Sequence, residues 1–336
     1  MVEKIYVACP ASFKTGGTES IHQLVYNLNK FFGIKTYVYY VNYNPKKTEN
    51  PTADAFSIYV GSDEWVDASG VEDSEKNLLI IPEMETPYLE NFKKIRKCIW
   101  WLSVDNFFVY NTAPKSKPLF YIKHYLKKVL GKTSLEYEKL MFNEFSADFH
   151  LVQSYYAAQF LKELNIKNIY SIPDYIHENY IAETKSINLD LKEDIVAYNP
   201  AKGYEFTAKL KAMAPNIRWV PIVKMTNEEV FQLLAKAKVY IDFGNHPGKD
   251  RIPREAALAG CCLITGKKGS AGNPYDVAIP AKYKLDETEA PAIIALIREI
   301  FSNYKSQSNK FNSYLEILNN EKAVYLKEVG DFLKIL

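Results

Sequence analysis

Between Lys238 and Gly272 the chain reads KVYIDFGNHPGKDRIPREAALAGCCLITGKKGSAG, and the order of residue types there leaves few folds open. An apolar strand at Val239–Phe243 is followed by a Gly/Pro/charged loop, a short helix from about Arg254 to Ala259, and a second strand at Cys261–Thr265. Pro253 stands where a helix accepts proline and Gly260 where a helix stops. The whole chain has five arginines, and two of them, Arg251 and Arg254, fall in this one loop beside Lys249.

Such a strand-loop-helix unit suits an anion. A helix N-terminus presents unpaired N–H groups and a partial positive charge, and a guanidinium fork holds phosphate through two parallel hydrogen bonds. Gly244 and Gly248 allow close backbone approach, Glu255 could accept hydrogen bonds from ribose hydroxyls, and His246 could reach a phosphate or a donor sugar. The competing reading is a solvated loop in which Glu255 complements the helix dipole and the arginines form surface ion pairs.

Taken in order, the chain alternates strands and helices. Lys4–Cys9 is a strand, the loop Ala11–Ser20 carries Gly16-Gly17, and apolar residues from Ile21 to Phe32 recur at helical spacing, with Ser20 and Gln23 as a capping box. Strands follow at Lys35–Val41, Phe56–Val60 and Leu78–Ile81, then a helix at Tyr88–Lys97. The strand Cys98–Val104 ends at Asp105, where catalytic carboxylates collect in open α/β sheets and where Asp is also an ordinary turn former. Residues 115–132 hold six lysines and no acid; they form either a solvated helix packed on its own domain or a basic helix lying on an anionic membrane. Strands at Phe149–Gln153 and Ile169–Pro173 close the first half, and 178–194 reads as a linker. The pattern restarts with a strand at Ile195–Tyr198, the loop Asn199–Gly203, a helix at Glu205–Met213, a strand at Ile217–Val223 and a helix capped by Thr226 and Glu229. A strand at Asp276–Pro280 and helices at Ala290–Ser302 and Tyr314–Leu336 complete it. Alternation of this length means parallel sheets with helices on both faces, an α/β protein.

Glu255-Ala-Ala-Leu-Ala-Gly260 after a glycine-containing loop resembles the second half of the E-x7-E element of GT-B nucleotide-sugar glycosyltransferases, and DFGNHPGKDRIPREAALAG resembles enzymes of bacterial capsule and lipopolysaccharide assembly. GGTES with its helix, HLVQS and the PDYI stretch are similar to parts of the GT-B amino-terminal domain, and Lys202-Gly203 is similar to the pair that holds the donor diphosphate. The resemblance departs at Pro247, where the first Glu of the element belongs, and at Ala197, where an arginine usually precedes the Lys-Gly pair. It implies two Rossmann-like domains facing across a cleft, an acceptor-side domain at 1–175 and a nucleotide-sugar-binding domain at 176–315, with 316–336 a helix crossing back to the first.

The implied reaction moves a sugar from a nucleoside diphosphate sugar to the hydroxyl of a saccharide or lipid-linked saccharide. Gly16, Gly17, Lys202, His246, Gly248, Lys249, Arg251, Arg254 and Glu255 would face the donor, and Asp105 or Glu19 would serve as base if the enzyme inverts. A nucleotide-sugar epimerase and a non-catalytic GT-B-like binding subunit are the alternatives.

Composition narrows the field further. A net charge of +2 gives no bulk reason to expect nucleic acid. No Asp-x-Asp, G-x-G-x-x-G or GxxxxGK[ST] occurs, and the histidines fit no zinc pattern, so neither a metal nor a cofactor beyond the donor is expected. Cys9, Cys98, Cys261 and Cys262 show no metal spacing and read as reduced thiols. No apolar run reaches the roughly 18 residues of a membrane span, and Glu3 and Lys4 interrupt any secretory signal, which together place the protein in the cytoplasm.

Overall fold

A computed structural model of the protein describes residues 2–111 and 147–336. The basic segment 115–132 lies outside the described residues. The chain divides into two compact units: the first gathers Met1–Gln153, Ala157–Ile172 and Leu326–Leu336, and the second Ser154–Tyr156 and Pro173–Tyr325.

The first unit is built on a seven-stranded parallel sheet of β1 (Lys4–Pro10), β2 (Lys35–Val41), β3 (Trp65–Val66), β4 (Leu78–Pro82), β5 (Arg96–Trp101), β6 (Phe149–Val152) and β7 (Ile169–Ser171), in the order β3-β2-β1-β4-β5-β6-β7. The inner strands are apolar runs rather than alternating ones because helices cover both faces, and all five residues of β4 are buried. Helices α1 (Gly16–Phe32), α2 (Val104–Asn111) and α3 (Tyr155–Glu163) follow β1, β5 and β6. Three expectations give way here. Helix α1 starts at Gly16 with Thr15 and Thr18 as its capping box, while Ser20 turns its hydroxyl back onto the Gly16 carbonyl. Phe56–Val60 is not a strand: Asp54–Phe56 is a 3-10 turn, and β3 comes later. A 3-10 stretch containing Pro87 occupies Glu83–Asn91, and Arg96 and Lys97 pair with Leu78 and Leu79 in the sheet rather than extending a helix.

The second unit has a four-stranded parallel sheet of β8 (Glu193–Tyr198), β9 (Arg218–Pro221), β10 (Ala237–Asp242) and β11 (Cys262–Thr265), in the order β11-β10-β8-β9. Its helices are α4 (Glu178–Thr184), α5 (Tyr204–Met213), α6 (Asn227–Lys236), α7 (Arg251–Leu258), α8 (Ala290–Ser302), α9 (Tyr304–Ser308) and the part of α10 (Asn312–Leu333) up to Tyr325, the rest of α10 belonging to the first unit. The Thr226/Glu229 capping box is present at α6. The segment read as a linker holds α4 and a 3-10 turn at Leu189–Leu191, and Asp276–Pro280 is irregular, with no strand. The core gathers Val196, Ala197, Val239, Tyr240, Ile241, Leu263 and Ile264 from the strands with Ala256, Ile293 and Ile297 from the helices. All four cysteines are buried free thiols. Among the described residues no helix is long and apolar enough to cross a membrane.

Candidate functional site

Strand order locates the crevice of the second unit. The chain leaves β8 toward β9 on one side and then places β10 on the other side of β8, so the topological switch lies between β8 and β10. Ligands of open parallel sheets sit outside the carboxyl ends of strands at such a point. Two loops flank it: Asn199–Gly203 after β8 and Phe243–Asp250 after β10. They touch backbone to backbone. Gly203 has φ +62, and a Cβ there would stand 2.7 Å from the Phe243 carbonyl carbon and from the Gly244 nitrogen. At Gly244 a Cβ would lie 2.3 Å from that of Lys202, so two glycines let the loops close and set Lys202 at the mouth.

The charged side chains of these loops are paired internally. Lys202 Nζ lies 2.5 Å from Asp250 Oδ2, Lys249 Nζ 2.6 Å from Glu321 Oε1, and Arg251 Nε 3.5 Å from Glu255 Oε1. His246, 1% exposed, sits between two acids, with Nε2 3.3 Å from Asp242 Oδ1 and Nδ1 3.3 Å from Asp250 Oδ2. Asp242 also accepts from the Gly244 N–H and the Tyr240 hydroxyl. Burial pushes its carboxyl upward, but His246, the Gly244 N–H and Lys202 outweigh that and hold it below the usual carboxylate range. Ligand atoms of Asp242, His246 and Asp250 lie within 4.8 Å of one another, close enough for a cation. The two carboxylates, however, stand against different nitrogens of one ring, which describes a ring held between two acids rather than three donors turned on a common point.

Arg254 is not at the crevice. Helix α7 begins at Arg251, earlier than the periodicity suggests, and that start turns Arg254 inward, where it is 1% exposed. Its guanidinium donates to Asp174 Oδ2 at 2.6 Å, Glu321 Oε2 at 2.9 Å and the Lys249 carbonyl at 3.1 Å. Asp174, just after β7, is held below the carboxylate range: burial opposes ionisation, and Arg254 with Lys249 and Arg251 outweigh it. The cluster of Arg254, Lys249, Asp174 and Glu321 ties α7 to α10 and to the segment before α4. Arg254, expected at the ligand, instead spends four of its five N–H groups inside the protein, two on the buried carboxylates of Asp174 and Glu321 and two on the Lys249 and Asp250 carbonyls. His246 is likewise buried, with each ring nitrogen 3.3 Å from a carboxylate oxygen. Gly248 is buried, and its carbonyl accepts from Ser270 Oγ at 2.6 Å, which pins the loop against the turn after β11. Lys202, Arg251 and Glu255 stay partly exposed, with side chains 32%, 18% and 18% accessible, against 14% for Lys249.

In the first unit the switch lies between β1 and β4. Gly16 and Gly17 form the first turn of α1 rather than a free loop. Glu19, one turn further, accepts from the Tyr59 hydroxyl at 2.9 Å. Asp105 occupies the first turn of α2, half-buried. The group that sequence reasoning passed over is Glu83, which follows the carboxyl end of β4 and is 1% exposed. It accepts from the Leu102 N–H at 2.9 Å, so it fixes the β5–α2 turn that carries Asp105. Burial raises its carboxyl to about 8, against the pull of the backbone N–H groups. Its signal in the sequence was an acid placed directly after an apolar strand.

The sequence matches no protein-family model and no curated protein. Among solved structures, it is similar to sucrose-phosphate synthase from Thermosynechococcus elongatus, at 13% identity and TM-score 0.66 over 99% of both chains. It is similar also to Anabaena HepE in complex with UDP-glucose, at 11% identity and TM-score 0.63 over 99% of this chain and 100% of that one. The lipopolysaccharide outer core galactosyltransferase WaaB gives 11% identity and TM-score 0.59 over 99% of both. Likeness at this level of identity carries the fold: the chain has the GT-B architecture of these glycosyltransferases, with one Rossmann-like unit in each half.

Proposed function

We propose that the protein is a glycosyltransferase that moves a sugar from a nucleoside diphosphate sugar to the hydroxyl of a saccharide or lipid-linked saccharide. The observation that carries the reading is the pair of glycine-locked loops at the β8/β10 switch point, which sets Lys202 beside the N-terminus of α7. Lys202 and Arg251 would hold the diphosphate and stabilise the charge that grows on it as the glycosidic bond breaks, without a metal. Glu255 would meet the ribose hydroxyls. In the first unit Asp105 or Glu19 would take the acceptor proton if configuration inverts. The nucleotide sugar would come from the cytoplasm, and the product would enter a surface polysaccharide or glycoconjugate.

Isothermal titration and thermal shift with UDP, GDP, CMP and dTDP test this, with Lys202→Ala and Arg251→Ala as controls. Ligand at 100 times its dissociation constant adds about 2.7 kcal/mol of stability, well within reach of either method. One nucleotide should bind, unaffected by EDTA, and each substitution should weaken it about tenfold or more, as expected for charge-assisted phosphate contacts. Failure of all four to bind refutes the reading.

The internal pairing of each loop cation favours a second reading, a binding subunit that has lost its donor. Release of free sugar or transfer product from a radiolabelled donor decides between the two.

A further inference from the structure

Resting on the donor-site reading above, we propose that Asp250 sets the affinity of the site by acting as a resident counter-ion that an incoming diphosphate must displace from Lys202. The acids of this unit differ in how far they are committed. Asp174, Asp242 and Glu321 are 2%, 4% and 4% exposed and locked into buried pairs. Glu255 lies within α7 and pairs with Arg251 on the same helix. Asp250 stands at the crevice, its side chain 20% exposed and its Oδ2 shared between Lys202 Nζ at 2.5 Å and His246 Nδ1 at 3.3 Å.

The position of Asp250 in the backbone explains its freedom to do so. It is the N-cap residue of α7, with φ −62 and ψ 139, where an aspartate ordinarily turns its carboxylate onto the second or third helical N–H. No such bond forms here. The third helical residue is Pro253, which has no N–H, so the helix offers this carboxylate fewer donors and the ammonium of Lys202 draws it off. The carboxylate thus neutralises Lys202 directly beside a helix N-terminus, the place where phosphate binds when nothing competes. A diphosphate, with more charge and more acceptor oxygens, can replace it, and the exchange lowers the affinity for every anionic ligand by the strength of the Lys202–Asp250 pair.

The test is titration of UDP and of inorganic pyrophosphate into wild type, Asp250→Asn and Asp250→Ala at one fixed salt concentration, with unfolding midpoints recorded for each. Both variants should bind both ligands about fivefold tighter, the factor that matches an ion pair of about 1 kcal/mol. The gain should vanish when either substitution is made on top of Lys202→Ala, because the carboxylate, left only with His246, then has no ammonium to release to the ligand. Unchanged or weaker binding by folded variants overturns the inference while leaving the donor site intact. A gain that persists without Lys202 also overturns it, by showing a general charge effect. If neither wild type nor variants bind either ligand, the donor-site reading itself fails and this one with it.

Discussion

Replacing Arg254 with alanine is the perturbation that best separates a structural from a ligand-binding arginine. The guanidinium is 1% exposed and donates to the carboxylates of Asp174 and Glu321 and to the carbonyls of Lys249 and Asp250. After truncation, Glu321 keeps Lys249 at 2.6 Å and the Ile176 N–H at 3.4 Å. Asp174 fares worse: among the described residues its Oδ1 has no hydrogen-bond partner, and its Oδ2 loses a 2.6 Å bond, which leaves a buried charge stripped of its ion-pair donor. Breaking a buried pair from one side costs about 3–5 kcal/mol, so the unfolding midpoint of the second unit should fall on the order of 10 °C. The pH dependence has a definite sign. In wild type the carboxyl of Asp174 is depressed, so its contribution is present at neutral pH and is lost as pH falls through that lowered value. Without Arg254, burial raises the same carboxyl, so the gap between variant and wild type should be widest near neutrality and narrow in acid. Adding Asp174→Asn should recover much of the loss, because the charge is then gone. Differential scanning calorimetry of the three proteins at three pH values measures all of this. Wild-type stability in Arg254→Ala together with lost nucleotide binding would refute the structural assignment.

Two more outcomes can be checked on the same preparations. Gly203→Ala places a Cβ 2.7 Å from the backbone of Phe243 and Gly244 at a φ of +62, so it should cost at least about 1–3 kcal/mol and weaken UDP binding by shifting Lys202; native-like melting and affinity would show that the two loops do not depend on this contact. Glu83 has a native carboxyl raised to about 8, so its share of stability is full below the unfolded value and is lost as pH rises through about 8. Glu83→Gln should remove that slope and be the more stable protein at pH 9, by at most about 4–5 kcal/mol; equal urea midpoints for the two proteins at pH 5 and pH 9 would count against it.

What sequence could reveal followed from how local each signal is. The Thr226/Glu229 box joins residues three apart, and the apolar run of β4 is its own evidence of burial on both faces. The start of α1 was misplaced because Thr15 caps through Thr18, a hydroxyl pair, where Ser20 and Gln23 offered a more familiar spacing. For α7 the error had a larger consequence. A start at Arg251 instead of Arg254 rotates the second arginine from the crevice into the core, and only the acids waiting there make that burial tolerable. Those acids lie 80 and 67 positions away in the chain, at Asp174 and Glu321, and nothing in the local pattern connects them to the loop. The same holds for the crevice itself, since the contact between Gly203 and Gly244 exists only because the sheet sets β10 next to β8. A cluster of basic residues in a loop is therefore an incomplete statement about a binding site. Which cations face a ligand depends on which acids the fold has already assigned to them: in this protein the buried Asp174 and Glu321 take Arg254 and Lys249, while Lys202 and Arg251 pair with the more exposed Asp250 and Glu255.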